Sequence, residues 1–404
     1  MVEREGSKIC ILRLDHQKAV SDFLRCVQSG MRAGYDSFDV VVERHGAFFP
    51  NAVAPIAGII EYYGEQGIIF NDSLGQTFIN QSGLICPKGY DGSKNVLNQV
   101  WRFSSSLEVG ELVRAYMIEL QKCAVLQKDV RTSIEWSINE VMDNVLQHSG
   151  EAYGFVMGQL HASTEVIAFT VYDTGQGMFN SFKGSVHHPR TALDAITLSM
   201  QEAVTRDSSI GQGNGLYGLH SIVKMGQGRL TITSGGSSYM YNSGSVTTFE
   251  RIPILSKKRP STIVDFQFGY SSDVSLEKAL IFNGIKYEMP NLYVEEMEDE
   301  LGRVRYFIKD HAEGTGTRIA AQRVRNEILN ILQEKPTQII LDFKDVSVIS
   351  SSFADELIAK LLLQLGLYQF NQVMRLTGLD FSLQNVLHRS VVQRMLEDFS
   401  DNNR

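Results

Sequence analysis

The strongest constraint on the fold lies in residues 130–177, where a helical pattern is followed by two apolar strands and a glycine-rich turn. The stretch "DVRTSIEWSINEVMDNVLQH" has apolar residues at intervals of three or four, as a helix with one buried face does: Val130, Ile134, Ile138, Val141 and Val145. The stretches "YGFVMGQL" and "EVIAFTVYD" are typical of strands. Another helical pattern, "SSLEVGELVRAYMIELQKC", precedes them, and the strand patterns "RLTITSG" and "VTTFERIPI" follow. Helices followed by strands predict a layered α+β fold.

Three polar residues share a second face of the helix that contains Val130. Glu140, Asn144 and His148 recur every four residues, away from the apolar stripe. Burying them without partners would cost about 1–3 kcal/mol each. Three aligned polar residues are therefore not expected on a helix that only packs in a core. By itself, the pattern is better explained by a face turned to solvent.

Two glycine-rich segments favour a binding site instead. In "DTGQG", Asp173 ends an apolar strand, and Gly175 and Gly177 leave it in a turn without side chains. A carboxylate there can accept a hydrogen bond from an exocyclic amine, while the glycines let a flat ring approach. In "GQGNGLYGLHSIVK", four glycines lead into a helix whose exposed N–H groups suit phosphate: Gly211, Gly213, Gly215 and Gly218.

In this order, the three motifs resemble the GHKL superfamily, the ATP-binding (Bergerat) α/β sandwich with a mixed sheet. The superfamily includes gyrase-type topoisomerases, heat-shock chaperones of the ninety-kilodalton class, mismatch-repair ATPases and histidine kinases. "EVMDN", "DTGQG" and "GQGNGLYGL" look like its first, second and third motifs, and the resemblance covers about residues 101–256. "GSVTTFERIPI" resembles its closing strand, where a Gly-Thr pair often holds phosphate.

The resemblance implies a role for each residue. Asn144 would coordinate Mg²⁺, Asp173 would accept from the adenine amine, and Glu140 would be the general base. The remaining expected nucleotide contacts are Gly175, Gly177, Gly211, Gly213, Gly215, Leu216 and, more weakly, Thr247 or Thr248. Glu140 is similar to the base of the hydrolases and of the anti-sigma serine kinases, and it argues against a histidine kinase. Residues 178–210 would form a lid whose phosphate contact is left open among His187, His188, Arg190 and Arg206. His148 would contact phosphate or cap its helix.

Smaller α/β patterns flank this region, so we predict three domains: residues 1–100, 101–256 and 257–404, with "SKKRPS" as a linker after the second. The first and third share a strand–helix–strand outline, either as two copies of one module or as unrelated βαβ units. "LDFKDVSVISSSFADELIAKL" resembles the STAS fold of anti-sigma-factor antagonists. Ser352 occupies the position that those proteins phosphorylate, but Ser350 and Phe353 replace an Asp and a Gly there, and a serine run at a helix start is also an ordinary N-cap.

Composition limits the possible partners. The chain has 404 residues, of which 43% are apolar and 21% charged, as in globular proteins. Its formal net charge of −8 disfavours a broad grip on nucleic acid or on anionic lipid. Four scattered cysteines form no CxxC pair and no apolar run is long enough to cross a bilayer, so we expect a cytoplasmic protein with reduced thiols and no membrane association.

Three functions are compatible with these features. The first is a Mg-ATP-binding ATPase that acts as a nucleotide-driven switch in bacterial signalling, with a protein partner bound through the STAS-like domains. The second is a serine kinase of the anti-sigma type, with Ser351 or Ser352 as acceptor. The third binds ATP without turning it over, which Glu140 disfavours because a sensor needs no base. The sequence is compatible with a role in stress signalling, sporulation-like regulation or phage defence. It is also compatible with a homodimer.

Overall fold

The computed structural model describes residues 2–42, 47–71, 85, 87–92, 95–150, 153–183, 185–201, 215–281, 292–335 and 337–401. They form two units, one of residues 1–119 and 133–287 and the other of residues 120–132 and 288–404. The secondary structure is mixed, with three separate sheets and helices around them, so the predicted α+β class is confirmed. Among the described residues, no helix combines the length and the apolar character needed to cross a membrane.

The first unit contains eight of the described helices: α1 (Lys18–Arg32), α2 (Pro50–Gly64), α3 (Ser106–Cys123), α4 (Val130–His148), α5 (Gly177–Ser181), α6 (Ala192–Ser199), α7 (Gly215–Met225) and α8 (Leu276–Ala279). The last residues of α3 and the first of α4 are counted in the second unit. Its described strands are β1 (Val2–Glu5), β2 (Lys8–Ile11), β3 (Ser37–Val42), β4 (Ile69–Asn71), β5 (Val100–Phe103), β6 (Gly154–His161), β7 (Val166–Asp173), β8 (Arg229–Ser234), β9 (Ser237–Asn242), β10 (Ser245–Glu250) and β11 (Thr262–Gly269).

A seven-stranded sheet forms the centre of this unit, in the order β10-β9-β8-β11-β7-β6-β5. The prediction of a mixed sheet is wrong here, because every pair of neighbouring strands is antiparallel. Strands β6 and β7 are buried over nearly their whole length, as expected for strands covered on both faces. On one face, Tyr116 of α3 packs edge-on against Phe169 of β7, with ring centroids 4.9 Å apart. On the opposite face, Tyr172 of β7 belongs to a core shared with α2.

Helix α2 joins the central sheet to a smaller one. Twelve of its fifteen residues are buried, which an amphipathic surface helix could not achieve. Gly58 permits the close approach, because a Cβ atom there would overlap the ring of Tyr172 and lie 2.9 Å from Phe155. The smaller sheet has the order β1-β2-β3-β4, with β3 parallel to both β2 and β4. The predicted strand–helix–strand unit is therefore confirmed as β3–α2–β4.

The second unit is built on a parallel sheet of three strands, β12 (Val304–Phe307), β13 (Ile339–Asp342) and β14 (Met374–Thr377), with β13 in the middle. Its helices in the described residues are α9 (Leu292–Glu295), α10 (Ile308–His311), α11 (Arg318–Glu334), α12 (Ser351–Ala354), α13 (Lys360–Leu365), α14 (Leu367–Val373) and α15 (Phe381–Asp401). A π-helical turn, Asp355–Ala359, connects α12 to α13, so the single predicted helix is continuous but wider in its middle.

One element lies outside the domain expected for it. Strand β11 begins six residues after the predicted boundary at 256, yet it pairs with β7 and β8 inside the central sheet. The segment "SKKRPS", predicted as a linker, therefore leads into the middle of the sheet. The division into three domains otherwise stays a prediction.

Candidate functional site

Helix α4 presents its polar residues as its sequence predicts. The apolar stripe from Val130 to Val145 is buried, with exposures of 5% or less. Glu140, Asn144 and His148 are half-buried on another face. The Asn144 side-chain nitrogen donates to the carbonyl oxygen of Glu140 at 2.7 Å, which fixes the amide orientation. The amide oxygen is the acceptor of that side chain, and it is a hard ligand atom of the kind that Mg²⁺ prefers.

The Glu140 carboxyl has a perturbed pKa. Burial raises the pKa above its ordinary value, the negative charge of Asp143 raises it further, and a hydrogen bond from Asn144 opposes both. The start of α7 contacts this carboxyl directly, because a Cβ atom on Gly215 would overlap it. Glu140 is therefore a carboxylate that accepts a proton more readily than an exposed one would.

The turn after β7 holds Asp173 in a fixed position. Asp173 is only 5% exposed, and its Oδ1 atom accepts from the Gly175 N–H at 2.8 Å. A side chain on Gly175 would overlap the carbonyl of Ser149 at the end of α4, and Gly177 has φ = +68°, which favours glycine. The glycines in "DTGQG" are thus required by close packing and by backbone conformation.

Three neighbouring segments hold this turn. The Met178 N–H donates to Ser234 Oγ at 2.9 Å, at the end of β8. The Ser261 N–H donates to the carbonyl of Gly175 at 3.0 Å. The Gln176 side chain donates to the carbonyl of His148 at 2.9 Å. The turn is therefore connected to β8, to the residue before β11 and to the end of α4.

The three motifs meet at one cavity. It is lined by residues from α4, the Asp173 turn, α5, α6, α7 and the sheet: Val141, Asn144, Val145, His148, Ser149, Val171, Asp173, Gly177, Met178, Ser181, Phe182, Ser199, Leu216, Thr262 and Val264. The structure thus brings together four of the predicted site residues, Asn144, Asp173, Gly177 and Leu216, with Gly175 and Gly215 adjacent in the chain. The volume of this cavity is about 50 Å³.

The predicted phosphate threonine is not at this cavity. Thr248 is exposed on the edge strand β10, and strands β9 and β8 separate it from β11. Thr262 lies there instead, directly opposite Asp173 in the ladder and within hydrogen-bonding distance of Ser234, with their hydroxyl oxygens 3.2 Å apart. Thr262 could have been recognised as a hydroxyl residue at the start of the apolar stretch "TIVDFQF". It was not selected because the segment before it was interpreted as a linker.

The predicted lid is described in part. Met178, Ser181, Phe182 and Ser199 line the cavity, whereas the described candidates for phosphate contact, His187, His188 and Arg190, do not. Helix α6 begins with a capping box between Thr191 and Asp194. Arg206, Gly211 and Gly213 lie outside the described residues, so their predicted contacts stay predictions.

The serine turn of the second unit has a structural role. Ser350 Oγ accepts from the Phe353 N–H at 3.0 Å and lies 2.9 Å from Ser352 Oγ. The predicted N-cap is therefore confirmed at Ser350. Ser351 is exposed, and phosphorylation at Ser351 or Ser352 stays a prediction.

A comparison with known families bears on the second unit. Residues 320–382 match the family described as a STAS-like domain of unknown function (DUF4325). The match extends from α11 into the start of α15 and confirms the STAS-like character expected in the C-terminal block. No curated protein matches the chain.

Proposed function

We propose that the chain is a regulatory ATPase of GHKL type, in which Mg-ATP binding at the cavity beside Asp173 drives a conformational switch. The proposal rests on one observation: Asn144, the Asp173 turn and the start of α7 line a single cavity, with Glu140 against the same helix start. Residues separated by more than 70 positions in sequence meet there in the arrangement that the three motifs predict.

The chemistry of the residues fits the nucleotide and the metal. Asn144 supplies an amide oxygen for Mg²⁺, and the buried Asp173 carboxylate, already oriented by the Gly175 N–H, would accept a hydrogen bond from the adenine amine. The N-terminus of α7 at Gly215 and Leu216 would face phosphate. The bound cation would neutralise charge on the phosphates.

The small size of the cavity suggests how binding would act as a switch. A space of about 50 Å³ does not admit a nucleotide, so side chains that fill it must move when one binds. Met178 on α5 and Leu216 on α7 are the large apolar side chains that these two helices place at the cavity. We therefore expect binding to displace α5 or α7, and that movement would change the surface offered to a protein partner of the STAS-like domain.

Glu140 would serve as the base. Its raised pKa suits a carboxylate that takes a proton from an attacking water and returns it to solvent after phosphate leaves. In this scheme the water oxygen forms the new bond to phosphorus, the bond to the ADP oxygen breaks, and the proton moves to Glu140.

Calorimetric titration of the full chain with ATP and MgCl₂ tests the site. Asp173→Asn should weaken binding by about 10- to 100-fold, because it removes a charge-assisted hydrogen bond. Asp342→Asn is the matched control, since Asp342 also ends a buried strand and accepts from an N–H two residues on, at 3.0 Å. No heat from ATP at millimolar concentration, or equal affinity in both variants, would refute the proposal.

The exposed side chain of Ser351 favours a second candidate, a serine kinase. In that reaction a serine hydroxyl oxygen takes the γ-phosphoryl group, ADP leaves, and the hydroxyl proton moves to Glu140. Incubation with γ-labelled ATP separates the two functions. Label in free phosphate supports the ATPase, whereas label on protein that is lost in Ser351→Ala supports the kinase.

A further inference from the structure

A second and larger cavity lies on the opposite face of the central sheet. Its volume is about 460 Å³, within the range typical of sites for small molecules. Helix α1 forms one wall, the far face of β8, β9 and β11 forms the floor, and residues 249–255 close one side. It shares strands β7 and β11 with the Asp173 cavity but opens on the other side of the sheet.

The floor of this cavity is lined with buried hydroxyl groups. Thr231 is 8% exposed, Thr233 7% and Ser238 3%. Thr233 and Ser238 lie 2.8 Å apart and bond to each other, and Thr233 also accepts from the Gln17 side chain at 2.7 Å. Thr231 lines the same floor, so its hydroxyl is accessible from the cavity. A buried hydroxyl at the floor of an open cavity is a group that a ligand would satisfy.

The walls and the rim differ in character from the floor. Ile59, Met240 and Ile263 supply apolar surface, and Tyr172 supplies an aromatic ring. At the rim stand three cations and one anion: Lys18, Arg25, Arg251 and Glu250. Asp22, 3.6 Å from Arg25, offsets part of this charge, so Lys18 and Arg251 carry the positive excess. A ligand that fits should have an apolar surface for the walls, polar groups along its edge for the floor hydroxyls, and an anionic group for the rim cations.

We propose that this cavity binds a nucleoside phosphate of mononucleotide size. The base would lie against the apolar wall with its edge hydrogen-bonded to Thr231, and the phosphate would lie at Lys18 and Arg251. A fatty acid would also fit the rim charge, but its alkyl chain would offer no hydrogen bond to the Thr231 hydroxyl on the floor. A small dicarboxylate would leave most of the apolar wall exposed to water.

Two serine residues connect this cavity to the Asp173 turn. Ser234 and Ser261 line the larger cavity, and they bond to Met178 and Gly175 of the turn. A ligand that orders them would therefore change ATP affinity, by about 5- to 150-fold if the coupling is of ordinary size. This coupling rests on the proposed function, whereas binding itself does not.

Calorimetry with AMP, GMP and cyclic AMP tests the proposal on the full chain. Thr231→Val, which keeps the shape and removes the hydroxyl, should weaken binding of the preferred nucleotide about 3- to 10-fold, and Lys18→Glu with Arg251→Glu should weaken it more. Thr247→Val, on the exposed strand β10, is the matched control and should bind like the wild type.

The variant Asp173→Asn distinguishes the two cavities. It should leave binding of the preferred mononucleotide intact even where it weakens ATP. The proposal is overturned if none of the three nucleotides binds at about 1 mM. It is also overturned if the Thr231→Val variant binds the nucleotide as tightly as the Thr247→Val variant does, or if Asp173→Asn abolishes binding. Binding of myristate in their place also overturns the ligand class.

Discussion

Glu140 of the first unit and Glu356 of the second are both carboxylates on helical segments, but their surroundings are opposite. Glu356 is 2% exposed and contacts three cations, with N–O distances of 3.0 Å to Arg318, 3.0 Å to Arg325 and 2.6 Å to Lys360. Glu140 is half-buried, has another acid, Asp143, nearby, and forms no ion pair within the described residues.

The difference separates a structural role from a chemical one. A carboxylate surrounded by cations is held in place by them, and removing it leaves uncompensated positive charge. A carboxylate kept partly out of water without a cation is less stable in its charged form, which is the state from which it accepts a proton. We therefore expect loss of Glu356 to affect mainly the stability of the fold, whereas loss of Glu140 should affect mainly the proposed reaction.

The largest expected effect is on turnover in Glu140→Gln. This variant should lower ATP turnover by about 10²–10⁴-fold while leaving affinity nearly unchanged, because only the proton acceptor is lost. A phosphate-release assay and calorimetry on the same preparation measure the two quantities. Turnover equal to that of the wild type would remove Glu140 from the proposed mechanism.

Glu356→Gln should instead destabilise the second unit. It leaves Arg318, Arg325 and Lys360 without their shared carboxylate, at a cost of about 3 kcal/mol. Denaturant unfolding should detect the loss, and ATP turnover at a temperature where the variant is folded should be retained. If Glu140→Gln destabilises the protein as much, the contrast between the two acids is wrong.

Gly215→Ala should lower turnover by roughly tenfold, since its Cβ displaces the Glu140 carboxylate from its position. Gly110→Ala is the matched control: Gly110 is an exposed helix position with open space around it, and alanine there should raise stability by about 0.5–1 kcal/mol. Equal turnover in the two variants would mean that Gly215 does not set the position of the base.

The smallest effect concerns pH. Because the pKa of Glu140 is raised, the acid limb of the turnover profile should lie above the ordinary carboxyl value of 4.5. The raised pKa of Glu140 also makes the folded protein less stable as the pH rises from the pKa of Glu140 in the unfolded chain to its pKa in the folded protein. Glu140→Gln should therefore be more stable than the wild type at pH 7 and should lose that advantage near pH 4. Unfolding curves at the two pH values measure the sign.

Local patterns predicted much of the structure. Helices α3 and α4 occupy the stretches that their periodicity indicates. The residues Asp173, Gly175 and Gly177 were found because the end of a strand and a glycine turn are local features. The mixed α+β class followed from the order of helices and strands.

Strand order was not predictable in this way. After β8 the chain makes the hairpin strands β9 and β10 at the sheet edge and then returns to insert β11 between β8 and β7. Nothing in the local pattern of "SKKRPS" or "TIVDFQF" indicates that return, so a threonine at the edge was assigned in place of Thr262. Helices α1 and α15 were also missed, and α1 forms a wall of the larger cavity.

The burial of α2 has a practical consequence for anyone who wishes to express the central sheet by itself. A fragment that starts at residue 101 would lose the helix that covers Phe155, Tyr172 and Ile263, and these apolar side chains would face water together. Such a truncation should yield insoluble or self-associating material. The amino-terminal segment is therefore part of the same folded core as the neighbouring sheet, and expressed fragments should retain it.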